Sequence, residues 1–205
     1  MVEHQVVGGR RGRPPGTSAR ELELVALRLF GDRGFEETTV DDIAAGAGVS
    51  RRTFFRYFDS KAEVLWSAFD AEVDTIRQLL AEVEDDVTIM QAVRRVVLAV
   101  NHYHASDVAE LRNRMNLISS VPALAASATV HYDAWERAIA GFVSGRTGHP
   151  ADSLYPLAVG RATLATCRAA YEQWAIRADS DLAQYLAAGL DALAAGFDDA
   201  TLHGR

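Results

Sequence analysis

Apolar positions recur at three- and four-residue intervals from residue 18 almost to the end of this chain. No stretch shows the alternation of period two that a half-buried strand needs, so the pattern predicts an all-α fold of about nine helices. The first helix opens where Ser18 and Glu21 form a capping box. Its apolar face is Leu22, Val25, Ala26, Leu29 and Phe30, and Gly34 closes it. Thr39 and Asp42 cap a short second helix, in which Ala44, Ala45 and Ala47 allow close packing and Gly48 supplies a turn. Ser50 then caps a third helix, Arg51 to Phe58, with Phe54 and Phe58 on one inward face. Phe35, Val40, Ile43 and Val49 complete a small core.

The fourth helix is expected to start at a Ser60/Glu63 capping box and run unbroken along Leu65, Phe69, Val73, Ile76, Leu80 and Val83. Thr88 with Gln91 opens a fifth, facing inward through Met90, Val93, Val97 and Val100. The sixth spans Asp107 to Ile118, and the seventh begins at Pro122 and ends near Gly145. The eighth runs from about Asp152 to Arg177, and the ninth from Ser180 or Asp181 to Phe197. The pattern divides the chain into a flexible basic arm (1–17), a head (18–62, with its motif at 41–60) and a larger helical body (63–205).

Two short helices joined by a tight turn, the second with arginines on its outer faces, form a helix-turn-helix shaped to enter a major groove. Arg51, Arg52 and Thr53 are placed to read base edges; one bidentate arginine–guanine pair contributes about 1–3 kcal/mol of discrimination. Arg56 lies on the same exposed faces, and Thr39, Tyr57 and Lys61 are placed to hold phosphates. In the arm, Arg11-Gly12-Arg13-Pro14 resembles an AT-hook core, in which arginines lie in a narrow minor groove; a basic tail adding only charge is the alternative.

The run Val49-Ser50-Arg51-Arg52-Thr53-Phe54-Phe55-Arg56-Tyr57-Phe58, followed by Ser60-Lys61, resembles the DNA-binding signature of the TetR family of transcriptional regulators. The likeness covers residues 18–62, from the first helix to the start of the fourth. It departs at Phe55, where the family more often has tyrosine, so a hydroxyl contact to phosphate is missing there. The resemblance implies a homodimer, a palindromic operator and repression.

The ninth helix carries Leu182, Leu186, Gly189, Leu190, Leu193 and Phe197 among alanines, a mixture of small and large residues suited to a four-helix interface between two chains. Packing within its own chain is the alternative. Two heads roughly 34 Å apart are what a palindrome demands, which favours the dimer. The body also holds bulky side chains beyond the needs of dimerisation: Trp66, Phe69, Met90, Met115, Trp135, Tyr171 and Trp174 would line a cavity for a lipophilic effector. Arg112 and Arg114, with Arg161 and Arg168 of the eighth helix, would form an anion clamp at its mouth, unless carboxylates such as Glu110, Asp133 or Glu172 pair with them.

Three further stretches narrow the resemblance: RRTFFRYF; Arg112-Asn113-Arg114-Met115 leading into Val121-Pro122-Ala123-Leu124; and Ala170-Tyr171-Glu172-Gln173-Trp174. Together they resemble the mycofactocin-system regulators within the TetR family. That likeness implies control of mycofactocin biosynthesis genes and a long-chain acyl-CoA effector.

Charge changes the picture only after it is divided. The net charge of −7 is unusual for a DNA binder. Residues 1–61 hold ten Lys/Arg and nine Asp/Glu, whereas residues 62–205 hold eleven and nineteen. The acidity belongs to the body, where it limits unspecific sticking to DNA. The single cysteine, Cys167, forms no intrachain disulfide and reads as an inert core thiol in a reducing cytoplasm. The N-terminus shows no signal peptide, and the longest uncharged run, Met115 to Tyr132, is too polar to span a bilayer. His102 and His104 fall on nearly opposite helix faces, and no nucleophilic triad, metal site or phosphate loop stands out, so neither enzyme nor cofactor is expected. Rivals to an effector-responsive acyl-CoA regulator are a constitutive or architectural DNA-binding dimer, a helical enzyme or lipid carrier that keeps the head incidentally, and an efflux regulator responding to a lipophilic drug-like compound.

Overall fold

The computed structural model of the protein describes residues 18–103, 107–177 and 181–196. Arg11 and Arg13 of the arm, His104 and Phe197 lie outside the described residues. Among the described residues there are nine α-helices and no strand: α1 (Ala19–Arg33), α2 (Val40–Gly46), α3 (Arg51–Phe54), α4 (Ser67–Ala81), α5 (Ile89–Val100), α6 (Val108–Ser120), α7 (Pro122–Thr147), α8 (Leu154–Arg177) and α9 (Leu182–Ala194).

The caps set the helix starts. Ser18 Oγ accepts the Glu21 amide at 3.1 Å. Thr39 and Asp42 exchange bonds, the Thr39 amide donating to the carboxylate at 2.9 Å and the Asp42 amide to the Thr39 hydroxyl at 3.1 Å. Each satisfies amides that the first helical turn leaves without partners. Gly34 and Gly48, at φ +90° and +67°, take backbone positions that a side chain would strain.

Two expected helices are shorter than predicted. α3 ends at Phe54, and the next turn tightens: the Arg56 amide bonds Thr53 O and the Tyr57 amide bonds Phe54 O, both three residues back. Phe54 and Phe58 still face inward, with ring centroids 5.6 Å apart. The fourth helix is broken. A 3-10 turn, Glu63–Leu65, precedes Trp66 and α4 begins only at Ser67. Side chains from the body account for the break. Arg114 donates to Leu65 O at 3.0 Å, and the Trp66 indole N–H is held by Ser127 Oγ at 3.0 Å.

The molecule has two main cores. The head core packs Leu22, Phe30, Ile43, Phe54 and Phe58, and it also takes in Leu117 of α6 and Leu124 of α7. The body core joins α4, α5, α7, α8 and α9, with Leu111 of α6. Tight crossings shape it. A Cβ on Gly160 of α8 would lie 2.5 Å from Glu136 O of α7. On α9, a Cβ on Gly189 would lie 2.8 Å from Thr166 Cγ2 of α8. This corrects the reading of α9: Leu182, Leu186 and Leu190 are buried in their own chain's core, and Gly189 serves the α8–α9 contact within the chain. Leu193 is half-buried. No helix among the described residues is long and apolar enough to cross a membrane.

Candidate functional site

On the head, Arg51, Arg52, Phe55, Arg56 and Tyr57 are exposed on and just after α3, and Thr53 is half-buried. Arg51 is held by Asp41 at 3.0 Å and lies over the Phe55 ring, while Arg56 donates to the Tyr57 hydroxyl at 3.1 Å. These contacts pre-orient guanidinium groups toward solvent. Phe55, 42% exposed, is a large apolar ring on this polar surface. Thr39 is exposed too, with its hydroxyl engaged in the α2 cap, which lowers the pKa of the Asp42 carboxyl.

Lys61 departs from expectation. Its ammonium donates to the carbonyls of Phe35, Thr38 and Glu36 at 2.7, 3.1 and 3.3 Å, and it sits over the Phe35 ring. A lysine has three N–H donors, and all three are used inside the head. Lys61 locks the α1–α2 loop instead of reaching outward for phosphate.

Behind the head, α4, α6, α7 and α8 surround a cavity of about 760 Å³. Trp66, Phe69, Arg114, Met115, Trp135 and Tyr171 line it, as the sequence suggested. Met90, Arg112 and Trp174 do not line it. Met90 sits half-buried at the start of α5, and Trp174 is a core residue whose ring is covered by the Arg112 guanidinium at 4.6 Å. Arg112 therefore packs on an aromatic face and does not clamp an anion there.

Arg114 is also not a free clamp. It donates through Nη2 to Glu23 of α1 and, at 3.1 Å, to Glu110. Arg20 of α1 grips Glu110 with two bonds of 2.6 Å and reaches Glu23 at 3.0 Å. These four residues form a closed charge quartet joining α1 to α6, and all four line the cavity. The carboxylates raise the Arg20 pKa further, the Glu110 bond being the largest cause. Sequence reasoning missed Arg20 and Glu23. The available signal was a glutamate at position 23 amid the apolar face of the first helix.

A second polar group lies at the cavity wall. Glu72 of α4 is hydrogen-bonded to Tyr103, and burial pushes its carboxyl up to about 7 against the smaller opposing effects of Tyr103 and Arg114. Tyr103 and Tyr171 hydroxyls are 3.2 Å apart, and Tyr171 donates to Asn101. Burial raises the pKa of Tyr103 to about 12, that of Tyr171 well above its usual value, and that of Cys167 to about 12, which keeps the thiol protonated. Glu72 follows Phe69 on one helical face, the sign that it points inward.

Where the 3-10 turn meets α4 and α7, His131 stacks on Trp66 at 4.6 Å. Its Nδ1 lies 2.8 Å from Asp70 and its Nε2 3.6 Å from Glu63. With each ring nitrogen turned to its own carboxylate, the arrangement is that of a protein clamp between the turn, α4 and α7.

Known proteins resemble this chain in both sequence and fold. Residues 24–67 match the model "Bacterial regulatory proteins, tetR family", and residues 87–198 match the MftR C-terminal domain. A Mycobacterium tuberculosis protein named as a mycofactocin biosynthesis transcriptional regulator, MftR, is 34% identical over 189 residues, covering 92% of this chain and 96% of that one. In fold, the chain resembles Thermus thermophilus FadR in complex with lauroyl-CoA (TM-score 0.57, 24% identity, 88% of this chain and 95% of that one). It also resembles SmeT, the repressor of a Stenotrophomonas maltophilia efflux pump, in complex with triclosan (TM-score 0.63, 18% identity, 87% and 90%).

Proposed function

This chain belongs to the TetR family of bacterial regulatory proteins, and we propose that it is a cytoplasmic repressor released from a palindromic operator by a lipophilic effector. One observation carries the reading. The cavity wall includes Arg20 and Glu23 of the head's own α1, together with Arg114, which bonds both α1 and the turn that leads into α4. A molecule filling the cavity thus touches the side chains that fix the head to the body. It shifts the heads only as far as it binds one arrangement better than the other.

The volume of about 760 Å³ suits a lipid-sized ligand. A long-chain acyl-CoA is the first effector to test, given the MftR relative and the lauroyl-CoA bound to FadR; triclosan in SmeT supports a drug-like compound as the second. The MftR likeness also points to mycofactocin genes as targets. Arg51, Arg52 and Thr53 would read bases, with Arg56 and Tyr57 on the backbone. For the homodimer, Leu154 and Tyr155 at the start of α8 supply exposed apolar side chains.

Native mass spectrometry of protein purified from its host tests the proposal: a dimer carrying a small lipophilic molecule is expected. A monomer, or a ligand-free dimer not stabilised against heat by acyl-CoA or lipophilic drugs, speaks for the constitutive DNA binder.

A further inference from the structure

Glu72 is a carboxyl group with too few donors. A carboxylate accepts about four hydrogen bonds. Here it has the hydroxyl of Tyr103, and no Lys, Arg or His lies within ion-pair distance among the described residues. The neighbouring groups cannot make up the shortage. The Tyr171 O–H is committed to Asn101, and the Asn101 side-chain N–H to Val97 O at 2.8 Å. Tyr103 has one proton for two acceptors, Glu72 and the Tyr171 oxygen 3.2 Å away. Both hydroxyl donors in this chain of contacts are spent, and Glu72 faces a cavity lined by Trp66, Phe69 and Trp135.

The cavity's charge does not favour an anion at this place. Three arginines and five acidic side chains line it. Two of those arginines, Arg20 and Arg114, already bind Glu23 and Glu110, and Arg168 lies over the Tyr132 ring at 5.0 Å.

We propose that Glu72 is a ligand-recognition residue, and that the effector is a lipophilic molecule carrying a hydrogen-bond donor, a hydroxyl or an ammonium group, which Glu72 receives inside the cavity. This rests on the cavity being the effector site; for an acyl-CoA it places a hydroxyl of the CoA arm, not the acyl tail, at Glu72. A plain hydrocarbon tail against half-buried Glu72 would displace water and leave the carboxyl unanswered, which is costly for a polar group cut off from solvent. A hydroxyl satisfies it in either protonation state, because both present an acceptor oxygen. An ammonium group pairs with the ionised form, and aromatic faces along the wall add attraction for the cation. Glu72 ionises near 7. Of the groups facing it, Tyr103 beyond α5 and Cys167 and Tyr171 on α8 stay neutral to much higher pH, and Arg114 on α6 is held by Glu23 and Glu110. A change in cation affinity between pH 6 and 8 therefore reports Glu72.

The test uses the full chain and three probes of one length: 1-decylamine, 1-decanol and methyl decanoate, which differ in the donor they carry. Calorimetry at pH 8 should give affinities for the amine and the alcohol about tenfold or more above that for the ester. The amine should weaken several-fold from pH 8 to pH 6, with the alcohol nearly constant. Glu72→Gln should bring the amine down to the level of the ester while circular dichroism and DNA binding stay unchanged; the wild-type pH series gives the same reading without any variant. Equal binding of all three probes, or an amine affinity indifferent to pH and to Glu72→Gln, overturns the inference and leaves the effector site standing. If lauroyl-CoA and all three probes fail to bind, the inference falls together with the effector site.

Discussion

Arg114 of α6 and Glu23 of α1 form an ion pair across the junction of body and head, with side chains only 8% and 4% exposed. A buried pair is weak evidence for stability as such, because both charges had to leave water. Removing one partner is another matter. Arg114→Met should cost about 3–5 kcal/mol in urea unfolding, and the double variant Arg114→Met/Glu23→Leu should recover a large part of it. Additive losses would show that the two residues do not act as a pair.

Lys61, bound to three carbonyls, and exposed Arg52 should respond differently to substitution. Lys61→Met should lower stability by about 1–3 kcal/mol through three lost carbonyl bonds, and leave the salt dependence of DNA binding unchanged. Arg52→Ala should hardly change stability, but should cost about 1–3 kcal/mol of sequence discrimination. A salt slope reduced by about one in Lys61→Met would restore lysine to the phosphate contacts.

Glu72 makes stability depend on pH. Its carboxyl ionises at about 7 in the folded chain, against 4.5 as the ordinary value. Between those values the folded state holds more protons than the unfolded one, so this group's contribution falls as pH rises from 4.5 to 7 and stays low above. Glu72→Gln should remove that decline, gaining on the order of 1–3 kcal/mol relative to wild type at pH 8 compared with pH 4.5. Parallel pH–stability curves for the two proteins would rule out the raised value.

Gly160 and Gly189 predict unequal tolerance. The Cβ of Gly160→Ala meets a backbone oxygen, Glu136 O, that cannot swing away, whereas that of Gly189→Ala meets the end of the Thr166 side chain. Thermal melts should show a loss of about 1–3 kcal/mol for the first and a smaller one for the second.

The helix starts of the head were legible in the sequence because their signals are local: Ser18, Thr39 and Ser50 cap helices within three residues of themselves. The long-range features were not. Nothing near Trp66 in sequence indicates that Arg114 and Ser127, 49 and 61 residues from Leu65 and Trp66, take their polar groups and break the helix. Likewise, the apolar stripe of α9 gives the same pattern whether it meets a second chain or its own, and Leu182, Leu186 and Leu190 meet their own. In the cavity, aromatic residues were identified by bulk, which places Trp135 and Tyr171 correctly but also selects Trp174, a core residue. The arginines were read as free cations because their partners, Glu23 for Arg114 and the Trp174 ring for Arg112, lie on other helices.

The central claim is that filling the cavity loosens the grip on DNA through the Arg20–Glu23–Glu110–Arg114 quartet. Fluorescence anisotropy tests it, using a DNA fragment selected from genomic DNA by the full-length protein, with and without saturating lauroyl-CoA whose binding is verified by thermal shift. At least a tenfold loss of DNA affinity is expected on ligand binding, with a clearly smaller ligand effect in Arg114→Met/Glu23→Leu. Lauroyl-CoA bound to the wild-type protein with no change in DNA affinity would contradict it.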